Sequence, residues 1–228
     1  MKKTFGSVVV IFLVSIYSCK QAPKDLQIKR LDPAIAHRMS DSIGGLIKPQ
    51  LADGLTATLW GVDSLVISPI AIDIDDRGRI YYNKTNRQVS SEFDIRAHRD
   101  WEIPSISLQT VEERRKFLHE ELSPENSARN KWLKDVNGDS SRDWRDLTLE
   151  TEVIYRLDDT DGDGVADQSQ KVVDDFHDEV TDVAGGVLAD GDDLYVAVAP
   201  DLWRLKDKNG DGIADEKTSL SHGYGVHI

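Results

Sequence analysis

The chain repeats a segment of itself, and that segment carries a loop with the ligand pattern of a metal site. Tyr155-Arg156-Leu157-Asp158-Asp159-Thr160-Asp161-Gly162-Asp163-Gly164-Val165-Ala166-Asp167 aligns with Trp203-Arg204-Leu205-Lys206-Asp207-Lys208-Asn209-Gly210-Asp211-Gly212-Ile213-Ala214-Asp215 at an offset of 48 residues, with eight of thirteen positions identical. A period of this size belongs to propeller blades and other stacked arrays, in which one unit cannot bury its own apolar face. The loop reads D-x-[DN]-G-D-G-x-A-D. Oxygen side chains at positions 1, 3, 5 and 9 and a carbonyl at 7 converge on one centre, and the glycine at 6 permits the sharp turn. The candidate ligands are therefore Asp159, Asp161, Asp163, the Val165 carbonyl and Asp167, then Asp207, Asn209, Asp211, the Ile213 carbonyl and Asp215. Hard oxygen donors in this number suit Ca²⁺, whereas Mg²⁺ keeps more water and fewer protein ligands.

At position 12 the loops hold Gln170 and Thr218 in place of the bidentate Glu of an EF-hand. The flanks, 152–157 and 194–205, read as strands, so the expectation is a calcium-stapled hairpin. The alternative is a turn rich in Asp and Gly that holds no ion. Against it, carboxylates crowded into nine residues repel one another unless a cation sits among them. A third segment offers Asp135, Asn137, Asp139, Asp143 and, at position 12, Asp146, but Ser140 stands where the turn glycine belongs and Arg142 adds a positive charge. It reads equally as a metal loop or a solvated one.

The charge agrees with cations as partners. Of a net −13, the stretch from Asp158 to Asp215 accounts for all, with 16 Asp and 1 Glu against 4 Lys or Arg. Nucleic acid is excluded by sign, since phosphate binding needs the opposite charge. Hydrophobic content of 39% is enough for a packed core.

Residues 69–83 give an apolar strand, a turn at Asp76-Arg77-Gly78 and a second strand, and residues 183–197 repeat that design around Gly191. Strand, polar turn, strand, then a hairpin carrying the Asp/Gly loop is one four-stranded propeller blade. Between the two units, Thr110 with Glu113 predicts a capping box, followed by Val111, Phe117, Leu118 and Leu122 on one helical face. Ser123-Pro124 ends that helix and suits the start of another. The expected fold is all-β: a β-propeller, its first two or three blades over residues 55–228, with a helical insertion at 108–134. Such an array must close or expose sheet edges, so a longer protein is expected, of which this is the N-terminal part.

The N-terminus has a different job. Met1-Lys2-Lys3, an apolar run from Phe5 to Tyr17, and Ser18 before Cys19 are the three parts of a secretory signal, residues 1–18. The run is about 13 residues, short of the roughly 20 that span a bilayer. Ile16-Tyr17-Ser18-Cys19 resembles the lipobox of bacterial lipoproteins, with Tyr17 bulkier than the usual occupant. That resemblance implies acylation of Cys19, an exported protein anchored in the membrane of the cell envelope, and a tether over 19–54. Cys19 is the single cysteine and has no disulfide partner, which fits. An ordinary secreted protein with a stray cysteine is the alternative.

The order of lipobox, DDRGRIYY, ENSARNKWLKDVNGDSSRDWRDL, YRLDDTDGDGVADQ and GGVLADGDDLYVAVAPDLWRLKDKNGDGIADE resembles a known group. These are the large exported lipoproteins described as membrane-bound dehydrogenases or haem-binding proteins, of the quinoprotein glucose/sorbosone dehydrogenase-like superfamily. The resemblance implies a six-bladed propeller, calcium, pyrroloquinoline quinone as cofactor, a sugar or related alcohol as substrate, and a His as base. It also implies a c-type haem domain downstream; no Cys-x-x-Cys-His occurs in these residues. The catalytic base is expected past Ile228, with His222 and His227, which flank a Gly-rich turn, as weak candidates or as exposed loop residues. His177, among carboxylates, reads as a solvated loop residue or a metal-adjacent group, while His37, His98 and His119 have no recognisable context. A propeller that only binds carbohydrate or protein at the envelope remains the competing class, because one fold hosts many functions.

Overall fold

The structure is a computed structural model that describes residues 27–87 and 97–225. The signal segment, Cys19 and His227 lie outside the described residues. Among these, no helix is long and apolar enough to cross a membrane.

The polypeptide is mostly β, in two antiparallel sheets with a few helices. The first sheet holds β1 (Ile28–Arg30), β2 (Ile72–Ile74), β3 (Ile80–Lys84), β4 (Glu152–Asp158) and β5 (Gln168–Phe176), in the order β1-β5-β4-β3-β2. The second is a meander of β6 (Ala184–Asp190), β7 (Asp193–Val198), β8 (Asp201–Lys206) and β9 (Glu216–His222). Each sheet thus contains four strands in chain order, with the Asp/Gly loop joining the last two. Turn chemistry fixes the registers. Asp75 accepts the N–H groups of Arg77 and Arg79 while Gly78 takes φ +78, which pairs Ile74 with Ile80. The second meander turns at Gly191, with Asp190 opposite Asp193. The segment 194–205 is two strands, broken at Ala199-Pro200.

The sheets bury Ile154, Val172, Phe176, Val196, Val198 and Leu205 between them. Alternation explains this locally: in β7, Leu194, Val196 and Val198 point inward while Asp193, Tyr195 and Ala197 are more exposed.

The segment expected to be a tether is partly structured from Ile28 onward. β1 pairs with β5, and α1 (Pro33–Leu46) lies over the first sheet. The sequence signal was there: Asp32 caps the helix by accepting from Ile35, Pro33 suits the first turn, and Ala36, Met39 and Ile43 recur on one face. Moderate polarity masked it. Together with Val62, Leu65, Tyr82, Leu157 and Ala166, this face closes the outer side of the first sheet.

The helical insertion is longer than 108–134. It begins with α2 (Arg99–Ser107), which contains Pro104, and runs to a 3-10 turn at Trp144–Thr148. The Thr110–Glu113 capping box starts α3 (Val111–Glu121) as expected, and Val111, Leu118 and Leu122 are buried against Trp101, Leu133 and Leu147. After Ser123-Pro124 a single 3-10 turn follows, not a second α-helix.

A buried polar junction joins the three parts. Glu152, fully buried, accepts from Thr85 Oγ1 (2.5 Å) and from the Ala184 N–H (2.8 Å) at the start of β6. Asn83, also fully buried, accepts from the Ala71 N–H and donates to the Ala184 carbonyl (2.6 Å). Arg87 donates to the carbonyls of Leu147 and Asp178; burial lowers its pKa, and the Glu152 charge opposes that shift. Replacing Glu152 by Ala leaves the Ala184 amide and Arg87 short of their partner. We expect Glu152→Ala to cost about 3 kcal/mol, read by urea denaturation. A loss below about 0.5 kcal/mol, the scale of an exposed substitution, would remove this junction from the account.

Candidate metal centre

The three Asp/Gly loops share one hydrogen-bond pattern. In the first, the Asp159 carboxylate accepts the N–H groups of Gly162 (2.7 Å) and Gly164 (2.9 Å). Asp161 accepts from Asp163 N–H, and Asp163 from Val165 N–H. In the second, Asp207 accepts from Gly210 and Gly212, Asn209 from Asp211, and Asp211 from Ile213. The third repeats it: Asp135 accepts from Gly138 and Ser140, Asn137 from Asp139, and Asp139 from Ser141. Ser140 does what the glycine does, at φ +71 against +90 for Gly164 and +84 for Gly212. Sequence reasoning counted the missing glycine against this loop; a side chain small enough to tolerate the left-handed region keeps the turn.

The pattern draws the oxygens together. Asp159, Asp161 and Asp163 each place one carboxylate oxygen within 4.8 Å of the others, with Asp161 and Asp163 exposed. Burial by itself would raise the pKa of Asp159, but the N–H groups of Gly164 and Gly162 outweigh it and hold the carboxyl below its ordinary value. A carboxylate has about four lone-pair sites, so two backbone bonds leave room for a cation. The donor set is all oxygen, which fits Ca²⁺.

The closing residues face elsewhere. Asp167, nearly fully buried, accepts from the Thr160 N–H and hydroxyl (3.3 and 2.7 Å). Asp215 likewise accepts from Lys208 N–H and Asn209 Nδ2. In the third loop Asp143 and Asp146, both fully buried, form the capping box of the 3-10 turn, and Asp146 also accepts from Val136 and Asn137. Position 9 of the hairpins and position 12 of the third loop therefore do one job, holding the N–H of position 2. In the first loop the carboxylates brought together are those of positions 1, 3 and 5, out of the four side chains and one carbonyl that spacing alone suggested.

At position 8 each loop reaches a neighbour. Ala166 N–H donates to the Trp60 carbonyl (2.7 Å) and Ala214 N–H to the Val172 carbonyl in the other sheet (2.9 Å). Arg142 N–H in the third loop donates to Ser127 Oγ (2.8 Å). The second loop is latched further. Gln170 Nε2 donates to the Asp211 carbonyl (2.7 Å), and Arg156 donates to Gln170 Oε1 and to Asp158. Gln170, which lacks the bidentate carboxylate of an EF-hand position 12, thus makes one of the inter-sheet contacts.

His222 Nδ1 lies 3.0 Å from Asp201 Oδ1, and the largely buried Asp201 also accepts from Ser219. That pairing orients the imidazole and leaves its Nε2 directed away from the pair. His177 contacts the Thr148 carbonyl, and His119 packs flat on Trp144 with Nε2 2.8 Å from Glu179. Arg115 in α3 grips Asp178 with both terminal nitrogens; these contacts raise the Arg115 pKa, and although burial pushes Asp178 upward, Arg115 holds it well below the carboxylate range. His119 and Arg115 thus tie the insertion to the turn between the sheets, a link with no sequence signal because the partners are about 60 residues apart.

The chain belongs to the family described as Domain of unknown function (DUF7133), whose model matches residues 46–227. No curated protein and no solved structure matches it.

The two turn glycines separate backbone strain from docking. A Cβ at Gly164 meets nothing within 4 Å, whereas at Gly212 it would lie 2.5 Å from Gln170 Oε1 and 2.8 Å from Arg156 Nη1. Gly164→Ala should cost about 1–2 kcal/mol for φ alone. Gly212→Ala should cost about 1 kcal/mol more, because room is made by swinging Gln170 off the Asp211 carbonyl. In a Gln170→Ala background the difference should shrink to what moving the Arg156 guanidinium costs. Equal costs in the natural background would refute the latch.

Proposed function

We propose that this chain is the N-terminal part of an exported, lipid-anchored, calcium-binding β-propeller of the quinoprotein-like dehydrogenase type. In this reading the full protein oxidises a sugar or related alcohol and passes electrons to a haem domain downstream. The observation that carries it is the repeated unit: two four-stranded meanders, each with the same Asp/Gly loop on its outer hairpin, joined edge to edge through Asp73 accepting from Ala189 (2.7 Å). In a propeller, β2 and β6 are the innermost strands of successive blades. The face by which the first sheet packs on the second has its counterpart, 48 residues on, in Leu202, Arg204, Thr218 and Leu220. Leu220 is 48% exposed and Leu188 beside that face 55%, the surface a further blade would cover. On the first sheet, by contrast, α1 and residues 60–66 already close the outer side.

Calcium would sit on Asp159, Asp161 and Asp163 in the first loop and on Asp207, Asn209 and Asp211 in the second, with the Val165 and Ile213 carbonyls as the further donors the loop spacing implies. Its role is to neutralise converging carboxylates and hold the hairpins shut. The third loop, with Asp135, Asn137 and Asp139, is the weaker candidate, because Arg145 lies 3.9 Å from Asp139. The innermost strands do not fit a quinone. Strands β2 and β6 carry Ile72, Ile74 and Leu188 and neither Lys nor Arg to meet a tricarboxylate. No step through the quinone is assigned to them. His222, whose Nδ1 pairs with Asp201, is the candidate base among the described residues, with Nε2 left to take a proton.

The test is made on the full-length protein. Calorimetry should detect Ca²⁺ binding to the loops, lost on Asp159→Asn with Asp207→Asn. Mass spectrometry should find Cys19 acylated at the mature N-terminus. Dye reduction with Ca²⁺ and pyrroloquinoline quinone across aldoses and polyols should reveal a substrate, and His222→Ala should lower turnover at least about 100-fold if it is the base. Calcium binding without quinone binding or dye reduction would replace the dehydrogenase by a calcium-stabilised binding propeller.

A further inference from the structure

The described part of the chain begins eight residues after Cys19, a distance of about 28 Å when fully extended. Whatever lies at the start of the fold is therefore held close to any bilayer in which Cys19 is anchored. From the C-terminal end of α1, about 21 Å along that helix from its start, residues 45–58 are exposed without interruption. Solvated stretches of this kind are ordinarily polar. This one carries Leu46 (82% exposed), Ile47 (51%), Leu51 (43%) and Leu55 (63%) within ten consecutive residues. A concentration of large apolar side chains in water marks a surface that something covers.

We infer that residues 45–58 form an apolar lip that rests on the bilayer, so that the anchored protein stands on the membrane in a fixed orientation and does not swing on its tether. The inference rests on the anchoring of Cys19 in the proposed function. Two observations select the bilayer over a protein partner. One is position: the segment follows directly on α1, the first helix after the anchor. The other is charge: residues 45–58 hold only Lys48 and Asp53 and are neutral, while the acidic excess lies in 158–215, which an anionic leaflet repels. Other exposed apolar side chains include Ile67, Ile70, Ile72 and Ile74 at and before β2, the strand assigned to the centre of the first blade. Leu188 and Leu220 lie on the face assigned to a further blade, and Ile103 and Ile106 are far along the chain from the anchor. Leu46 and Ile47 enter at the acyl boundary with Lys48 between them and Pro49 at headgroup level, the arrangement of an interfacial segment.

The experiment uses the chain from Cys19, coupled through its single thiol to a maleimide lipid in vesicles of phosphatidylethanolamine and phosphatidylglycerol. Chemical coupling makes the result independent of whether the cell acylates Cys19, which mass spectrometry of the natural protein reads separately. A carbene-generating probe dissolved in the acyl chains is photolysed and its adducts are mapped by peptide. Adducts should concentrate on 45–58, about fivefold or more above the peptides containing Ile103 or Leu188. Leu46→Glu with Leu51→Glu and Leu55→Glu should remove them; these side chains are exposed, and an unchanged melting temperature confirms that the fold is intact. Even labelling across the exposed apolar residues would overturn the inference, as would adducts at 45–58 that survive the triple substitution. Protection of 45–58 in the uncoupled chain that rises with protein concentration would also overturn it, making a second copy the occupant.

Discussion

One aspartate side chain holding two backbone amides sets the rest of this architecture. In each loop the first carboxylate accepts from positions 4 and 6, which closes the turn, aims the oxygens of positions 3 and 5 at one point, and turns the amide of position 8 outward. That outward amide is what joins units. Ala166 ties the first sheet to the segment before β2, Ala214 ties the second sheet to the first, and Arg142 ties the insertion to itself. The alanines at position 8 are small because the loop lies against its neighbour; Ala166 is fully buried. A geometry that concentrates negative charge is costly alone, and the same carboxylates that build the turn are those a cation would neutralise.

Apolar burial between the sheets supplies bulk attraction, but it is non-directional and would permit sliding. Register between the parts comes from directional polar contacts, fully buried around Ala184 and partly exposed at Asp178. Glu152 and Asn83 grip the two sides of the Ala184 peptide, and Arg115 and His119 grip the turn at Asp178-Glu179. Such groups are expensive to bury and cost most when one partner is removed, so each enforces a single arrangement.

Much of this was legible in the sequence, and the exceptions have physical reasons. The repeat, the hairpins, the Thr110 capping box and the buried face of α3 followed from spacing and turn chemistry. Local rules also covered α1, whose Asp32-Pro33 start and 3–4 spacing were outweighed by the polarity of its surroundings. Three features lay beyond local rules. Asp167 and Asp146 look like ligands by spacing, yet the nearest unpaired N–H groups, those of position 2, claim them. Gln170 read only as a departure from the EF-hand because its partner, the Asp211 carbonyl, is 41 residues away. Ser140 counted against the third loop because residue type was read without the hydrogen bond that holds its backbone conformation.

The central claim is that the loops work as cation-tightened clasps between units, and amide hydrogen exchange reads it at the atoms concerned. Exchange is followed at Ala166 and Ala214, whose N–H groups cross to Trp60 and Val172, with Val196 in the middle of β7 as the internal reference. On adding Ca²⁺ the account predicts slowing at both alanines, about tenfold or more relative to Val196. Unchanged rates at saturating Ca²⁺, or slowing shared equally by Val196, would contradict it.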